Sequence, residues 1–298
     1  MNVFVTGASG WIGSAVVDEL IARGHEVVGL ARSDASAAAL AAKGARVLRG
    51  DLDDLDSIGS GAKSAEAVIH LANKHDWSDP AASNAAERAA VQTIGDALAG
   101  TGRPFLLASG VAGLTEGRPA TEADPSPFHG PDSPRGGSEN LALEFADRGV
   151  HSVSLRFAPT VHGMGDHGFI AAIAAVARDK GVSGYPGDGG NRWAAVHRTD
   201  AARLVGLALA KAPAGARLHA VAEEGVSTRE IAIAIGRAYD LPVASVAPDD
   251  VMDHFGWIGM FFGRDLSATS DLTRESLDWT PTGPTLLADL DAGAYGPR

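Results

Sequence analysis

Eight residues near the start of the chain, Thr6 to Gly13 (TGASGWIG), constrain the fold more than any other stretch. A short β-branched and aromatic run, Asn2 to Val5, precedes them. The segment VVDELIARG follows, with apolar residues at Val16, Val17, Leu20 and Ile21, the spacing of a helix with one buried face. Strand, glycine turn and helix thus fill the first 24 residues. In such a unit Gly7 permits the tight turn, Gly10 lets the backbone approach a pyrophosphate, and Gly13 lets the helix pack closely on the sheet. The helix N-terminus then faces the phosphates. Dinucleotide binding is therefore expected at Thr6, Gly7, Ser9, Gly10, Trp11, Ile12 and Gly13.

The chain continues in the same rhythm. Gly24 closes the helix, EVVGLAR supplies a second strand, and ASAAALAAKG a second helix that leads into ARVLRG and the acidic turn Asp51 to Asp54. GAKSAEAVIHLA reads as helix, turn and strand, and AVQTIGDALAG with RPFLLASG as another helix and strand. Strands alternating with helices call for a parallel sheet covered on both faces, with right-handed crossovers. The Pro- and Gly-rich stretch from Gly117 to Gly137 reads as a long loop beyond a strand end, well placed to line a site. SENLALEFADRG is read as a helix and VHSVSLRFAP as a strand.

Beyond Thr160 the pattern loosens. FIAAIAAVARDKG and DAARLVGLALAKAP read as helices, YPGDGGNRWAAVH as a turn-rich connection between them, and RLHAVAE as a strand. VSTREIAIAIGRAY opens with a Ser/Thr-x-x-Glu helix start. PVASVAP is a strand candidate and SLDWTPTGPTLLADLDAG a final turn and helix. The expected fold class is α/β, a Rossmann-type doubly wound parallel sheet with a smaller C-terminal substrate lobe. Residues 1–162 form the cofactor domain, 163–190 an insertion of the substrate lobe, 191–224 a return to the Rossmann domain, and 225–298 the rest of the lobe.

Composition narrows the partners. The 298 residues, 45% of them hydrophobic, suffice for a sizeable core. The net charge of -12 argues against nucleic acid and against an anionic membrane surface, leaving a small-molecule substrate. The absence of cysteine excludes a disulfide scaffold, a thiolate zinc site and a cysteine nucleophile. No basic leader and no bilayer-length apolar stretch is read, so the cytoplasm is the expected location.

After the second strand come Arg32 and Ser33, a guanidinium and a hydroxyl suited to a 2′-phosphate, which points to NADP(H). Asp34 would argue instead for NAD. Asp51 and Leu52 are placed to meet the adenine, although Asp51 is also a plausible helix cap.

TGASGWIG, GDL at 50–52, IHLA at 69–72, ASG at 108–110, LRFAPTVHG at 155–163, NRWAAVHRTDAA and LDWTP resemble the extended short-chain dehydrogenase/reductase superfamily, close to its NAD-dependent epimerase/dehydratase-like members. The resemblance implies a homodimer, and cofactor contacts at Leu71, Ala72, Asn73, Pro159, Thr160 and Val161. It also implies a Ser, a Tyr and a Lys four residues beyond the Tyr for proton transfer. Ser109 matches the Ser, but the stretch RGGSE puts Arg135 at the Tyr position and Glu139 at the Lys position, so the chain is an atypical member. Arginine stays protonated and is no ordinary general acid, though it can hold an anion. Arg135 and Glu139 also fit a simple i,i+4 ion pair. The loop NKHDW after the fourth strand offers His75 as a substitute acid or base and Lys74 as a group to orient a carbonyl or touch the cofactor ribose.

The catalytic expectation is accordingly Ser109, His75, Arg135 and Lys74. His162 and His167 flank a glycine-rich turn, and no metal is expected. Trp257, Phe261 and Phe262 are read as a pocket wall, as lobe core or as a dimer surface, with core or pocket preferred. The function expected is an NADP(H)-dependent oxidoreductase acting on a carbonyl or alcohol of a small organic molecule. The alternatives are an epimerase or dehydratase using bound NAD(P), a reductase of activated C=C bonds, or a non-catalytic NADP-binding regulator.

Overall fold

The computed structural model describes residues 1–74, 76 and 78–296. Its first half alternates β1 (Asn2–Thr6), α1 (Trp11–Ala22), β2 (Glu26–Ala31), α2 (Asp34–Ala42), β3 (Arg46–Arg49), α3 (Leu55–Ser64), β4 (Ala67–His70), α4 (Pro80–Leu98), β5 (Pro104–Gly110), α5 (Ser138–Glu144) and β6 (His151–Phe157). The second half contains β7 (Thr160–His162), α6 (Phe169–Lys180), β8 (Ser183–Pro186), β9 (Arg192–His197), α7 (Arg198–Lys211), β10 (Arg217–Ala220), β11 (Glu223–Ser227), α8 (Thr228–Tyr239) and β12 (Val243–Val246). Short helical segments complete the chain, among them Asp271–Leu277 and Leu286–Asp291.

Seven strands form one sheet in the order β10-β6-β5-β4-β1-β2-β3, all of them parallel. This is the doubly wound arrangement expected from the alternation, with the reversal of strand order between β1 and β4. The sheet is buried on both faces. Val3, Val5, Val16, Val17 and Leu20 belong to one core with Leu204, Val205 and Leu218, while Phe4, Ile58, Ile94 and Phe105 belong to the core on the other face. Burying whole strands in this way requires helices on both sides, which the crossovers supply.

The smaller lobe has its own core, built from Ile170, Ile173, Trp193, Ile231, Ile235, Phe255, Phe262, Leu286 and Leu290. A three-stranded sheet β11-β9-β7 and a two-stranded sheet β12-β8 frame it. The stretch from Arg192 to His197, read from the sequence as a turn-rich connection, is thus a strand at the centre of its sheet. The strand expected over RLHAVAE is divided, ending at Ala220 in the large sheet and resuming at Glu223 in the small one. Leu277 and Trp279, far along the chain, pack back into the core of the large sheet. Among the described residues no helix is long and apolar enough to cross a membrane.

Candidate active site

The glycine loop sits where β1 runs into α1. Gly7 has φ of 66°, a left-handed conformation that favours glycine, and a Cβ there would lie 2.7 Å from the Leu71 carbonyl carbon and the Ala72 nitrogen. Leu71 and Ala72, just beyond β4, therefore press directly on the turn. A Cβ on Gly13 would collide with the Gly7 carbonyl oxygen, so the helix can approach the turn this closely only with glycine. Gly10 caps α1 without any side-chain hydrogen bond, and Ser9 and Gly10 are exposed. The first-turn amides of α1 are thus left to an external anion, and these residues fit a dinucleotide pyrophosphate.

Other predicted positions serve the frame around this turn. Thr6 is buried, its Oγ1 2.7 Å from His70 Nδ1 and accepting the Ala72 N–H at 3.3 Å, so the hydroxyl joins β1 to β4 from inside. The Trp11 indole N–H donates to the Val161 carbonyl at 2.6 Å, tying the glycine loop to the Pro159–Val161 segment beyond β6. Arg198 stacks over the Trp11 ring at 4.2 Å. Ile12 packs against the core beneath.

At the end of β5, Ser109 stands opposite Arg156 of β6 in the parallel register. Glu139, on the first turn of α5, reaches both. Ser109 Oγ donates to Glu139 Oε2 at 2.7 Å, and Arg156 donates to Oε1, at 2.8 Å from Nε, with its second nitrogen 2.6 Å away. Glu139 and Arg156 are buried, 6% and 0% exposed, whereas Ser109 is half-buried and forms the open end of the network. Arg156 also donates to the Asp124 carbonyl at 2.8 Å, fixing the end of the long loop. The Lys-position residue is therefore engaged with Ser109 and Arg156. The i,i+4 ion pair between Arg135 and Glu139 does not form.

Arg135 instead turns toward α4. It is one of three non-glycine residues with positive φ among the described residues, at 56°, and it is paired with Glu87 at 3.1 Å from Nε and 2.5 Å from its terminal nitrogen. Asn73 also donates to Glu87, which is itself 1% exposed. Glu87 thus gathers the Tyr-position arginine and the end of the β4 loop on one carboxylate. Burial, aided by the Arg135 guanidinium, pushes the His70 imidazole down to about 3. No tyrosine takes the vacated role: Tyr295 donates to Asp166 at 2.6 Å, Tyr185 lies under Arg229 and Tyr239 under Arg178.

Lys74 does not join Ser109. It is ion-paired with Asp53 at 2.7 Å, in the loop beyond β3. His75 lies outside the described residues. Asp51 accepts the backbone N–H groups of Asp53 and Asp54 at 2.9 and 3.1 Å, ordering its own turn, and Leu52 is buried in the core. His162 is buried and bonded to Asp289 at 2.6 Å, while His167 stands edge-on to Trp11. Phe262 is in the lobe core, with Trp257 and Phe261 packed around Phe169.

Sequence reading missed Glu87 and the role of Arg156. The first carried no signal on an ordinary amphipathic helix. The second did: an arginine inside the apolar run SLRFA, on a strand buried from Ser152 onward, demands a carboxylate partner.

Comparison with known proteins places this geometry. The family model described as the NAD dependent epimerase/dehydratase family matches residues 3–221. An uncharacterized protein of Schizosaccharomyces pombe is 45% identical over 296 residues, covering 99% of this chain and 100% of its own. UDP-glucose 4-epimerase of Thermus thermophilus, in complex with NAD, superposes with a TM-score of 0.75 at 24% identity, covering 99% of this chain and 98% of its own. DesIV, a dTDP-glucose 4,6-dehydratase of Streptomyces venezuelae with NAD bound, gives 0.77 at 22% identity, covering 99% and 96%.

Two expectations are corrected by these findings. The cofactor expectation of NADP(H) is contradicted: the matched family is described by NAD, and NAD is what both of these complexes hold. The local structure supplies a reason: Ser33 is the N-cap of α2, accepting the Ser36 N–H at 3.2 Å and donating to Ser36 Oγ at 3.0 Å, so its hydroxyl belongs to the helix, and Arg32 is exposed. The reading as an NADP(H)-dependent reductase of a small carbonyl or alcohol compound falls with it, and the epimerase or dehydratase alternative is the one that agrees with the matched family's description.

Proposed function

The chain belongs to the NAD-dependent epimerase/dehydratase family, and from that premise we propose that it binds NAD and acts on a hydroxyl of a nucleotide-sugar-like substrate, by epimerisation or dehydration. The observation that carries the reading is the glycine cradle at the N-terminus of α1, open to an anion, with the Ser109 hydroxyl at the end of a strand in the same sheet. Bound NAD would accept a hydride from the substrate carbon and return it. Gly7, Ser9, Gly10, Trp11, Ile12 and Gly13 would hold its pyrophosphate. Leu71, Ala72, Asn73 and Pro159 to Val161 would border the rest, with Asp34, beyond β2, on the ribose side. Asp34 is exposed and, among the described residues, pairs at the surface with Arg49 at 2.9 Å, which leaves it accessible to a ribose hydroxyl.

Ser109 is the group proposed to meet the substrate oxygen. Arg135, about one-third exposed beside Glu87, is proposed to steady an anionic part of the substrate. The division into 1–162, 163–190, 191–224 and 225–298 is carried forward as part of the same proposal.

The test is direct. Purified protein is assayed for released NAD, titrated with NAD and with NADP, and incubated with UDP-glucose and dTDP-glucose while the reduced nicotinamide is followed by absorbance. Tighter binding of NAD than of NADP, with a changed hexose among the products, is the expected result. Preference for NADP, or absence of any dinucleotide binding, would overturn the reading. NAD bound without turnover would make the chain a binding protein.

A further inference from the structure

The network behind Ser109 has a direction. Its half-buried end is a hydroxyl that already donates its hydrogen, and its buried end is a carboxylate fixed by an arginine. A hydroxyl that donates to a carboxylate keeps its lone pairs turned outward, available to accept a proton. In the family resemblance the proton acceptor is the Tyr, which is Arg135 here and is committed to Glu87. We propose that Glu139, acting through Ser109, takes the proton that the missing tyrosine would take: Ser109 touches the substrate, and Glu139 is the positioning residue and proton reservoir behind it. The inference rests on the proposed oxidation of a substrate hydroxyl.

In this step the substrate O–H bond breaks and its proton passes to Ser109 Oγ. The Ser109 O–H bond breaks and that proton passes to Glu139 Oε2, converting the carboxylate to a carboxylic acid. The electron pair left on the substrate oxygen closes the C=O bond as the electron pair of the carbinol C–H bond, with its hydrogen, is accepted by NAD, the oxidant of the proposed reaction. On return of the hydride the same protons move back.

The surroundings suit this use. Both Arg156 contacts fall on Oε1, which leaves Oε2 to Ser109 alone among the described contacts. From β10, Arg217 stands 4.0 Å from Oε1, and His219 meets Arg156 at 3.4 Å while its other nitrogen faces the Thr269 carbonyl at 2.8 Å. Glu122, beyond His219, is turned to Thr273. From α4, Glu87 is turned to Arg135 and Arg88 donates to the Gly136 carbonyl at 2.7 Å. The cations that face Glu139 are thus arginines, which keep their charge, and they neutralise the carboxylate without offering it a transferable proton.

The test uses the full chain loaded with NAD and supplied with UDP-glucose, and measures the rate of reduced nicotinamide formation against pH for the wild type, Ser109→Ala, Glu139→Gln and the double variant. Each single change is expected to lower the rate about 100-fold or more. KM is expected to stay within about threefold, and the double variant to be no slower than the slower single, because the two residues act as one unit. The fall in wild-type rate at low pH should be absent from Glu139→Gln. A Glu139→Gln rate near that of the wild type, or losses that multiply in the double variant, overturns the proposal.

Glu139→Gln leaves a buried arginine uncompensated and can fail to fold, so a second measurement uses Ser109→Ala, in which the ion pair is intact. Infrared difference spectra of protein with isotope-labelled glutamate, wild type against Ser109→Ala, are expected to show a carboxylate band that shifts when the hydroxyl is removed. A protonated carboxyl band in its place overturns the proposal. The shifted carboxylate band without turnover of UDP-glucose supports the Ser109–Glu139 unit and counts against the nucleotide-sugar reading.

Discussion

His70 ties local burial to the pH response of the site. Its ring is fully buried at the end of β4, held to Thr6 on one nitrogen, and burial together with Arg135 lowers its pKa to about 3 from an ordinary 6.5. A native state that keeps the ring neutral binds fewer protons than the unfolded chain between those two values. The contribution of His70 to stability is therefore complete above about pH 6.5 and is lost as pH falls toward about 3, at a slope of up to about 1.4 kcal/mol per pH unit. Denaturant titrations of the wild type and His70→Asn over this range should give a steeper acid loss in the wild type. Parallel slopes would show that the ring does not stay neutral in the native protein. At Glu139, a family lysine position, the reversed charge is tolerated because Arg156, opposite Ser109 in the register, supplies the counter-charge.

The elements show where local signals suffice and where they do not. The Ser-x-x-Glu start of α8 is a complete capping box, with Ser227 accepting the Glu230 N–H and the Glu230 carboxylate accepting the Ser227 N–H at 3.1 Å. Both contacts lie within four residues, so sequence alone could name them. Ser227→Ala should cost about 1 kcal/mol, read as a lowered denaturation midpoint with an unchanged m-value. β9 is the opposite case. RWAAVH has two alanines and follows the turn-rich GDGG, and its strand conformation comes from its partners, β11 on one side and β7 on the other. α2 is instructive in a third way: Ser33 looked like a phosphate ligand because it follows β2, yet the same position is the N-cap of the next helix, and the cap claims its hydroxyl.

At the scale of the whole molecule, the chain is closed by its own C-terminal segment. Trp279 is 1% exposed in the core of the large sheet and donates its indole N–H to the Asp200 carbonyl at 3.2 Å. The Asp200 carboxylate accepts the N–H groups of Thr282 and Gly283, and Asp289 on the last helix meets His162. Trp279→Ala should therefore cost about 3–5 kcal/mol, measured by equilibrium denaturation. NAD affinity of the folded fraction should be retained, since the hydrogen bonds described for the glycine-loop side chains run to His70 and Ala72 and to Val161. A loss below about 1 kcal/mol would mean that the C-terminal segment is not part of the cooperative core.

The sequence by itself determined the alternating architecture, the glycine cradle, the family resemblance and Ser109 at a strand end, because each is written in residues adjacent along the chain or repeating at the period of one element. Only the tertiary structure decided that Arg135 faces Glu87, that Lys74 faces Asp53, and that Glu139 bridges Ser109 and Arg156. Those partners lie 17 to 48 residues apart, and which charge meets which depends on register and crossover geometry that no local pattern encodes.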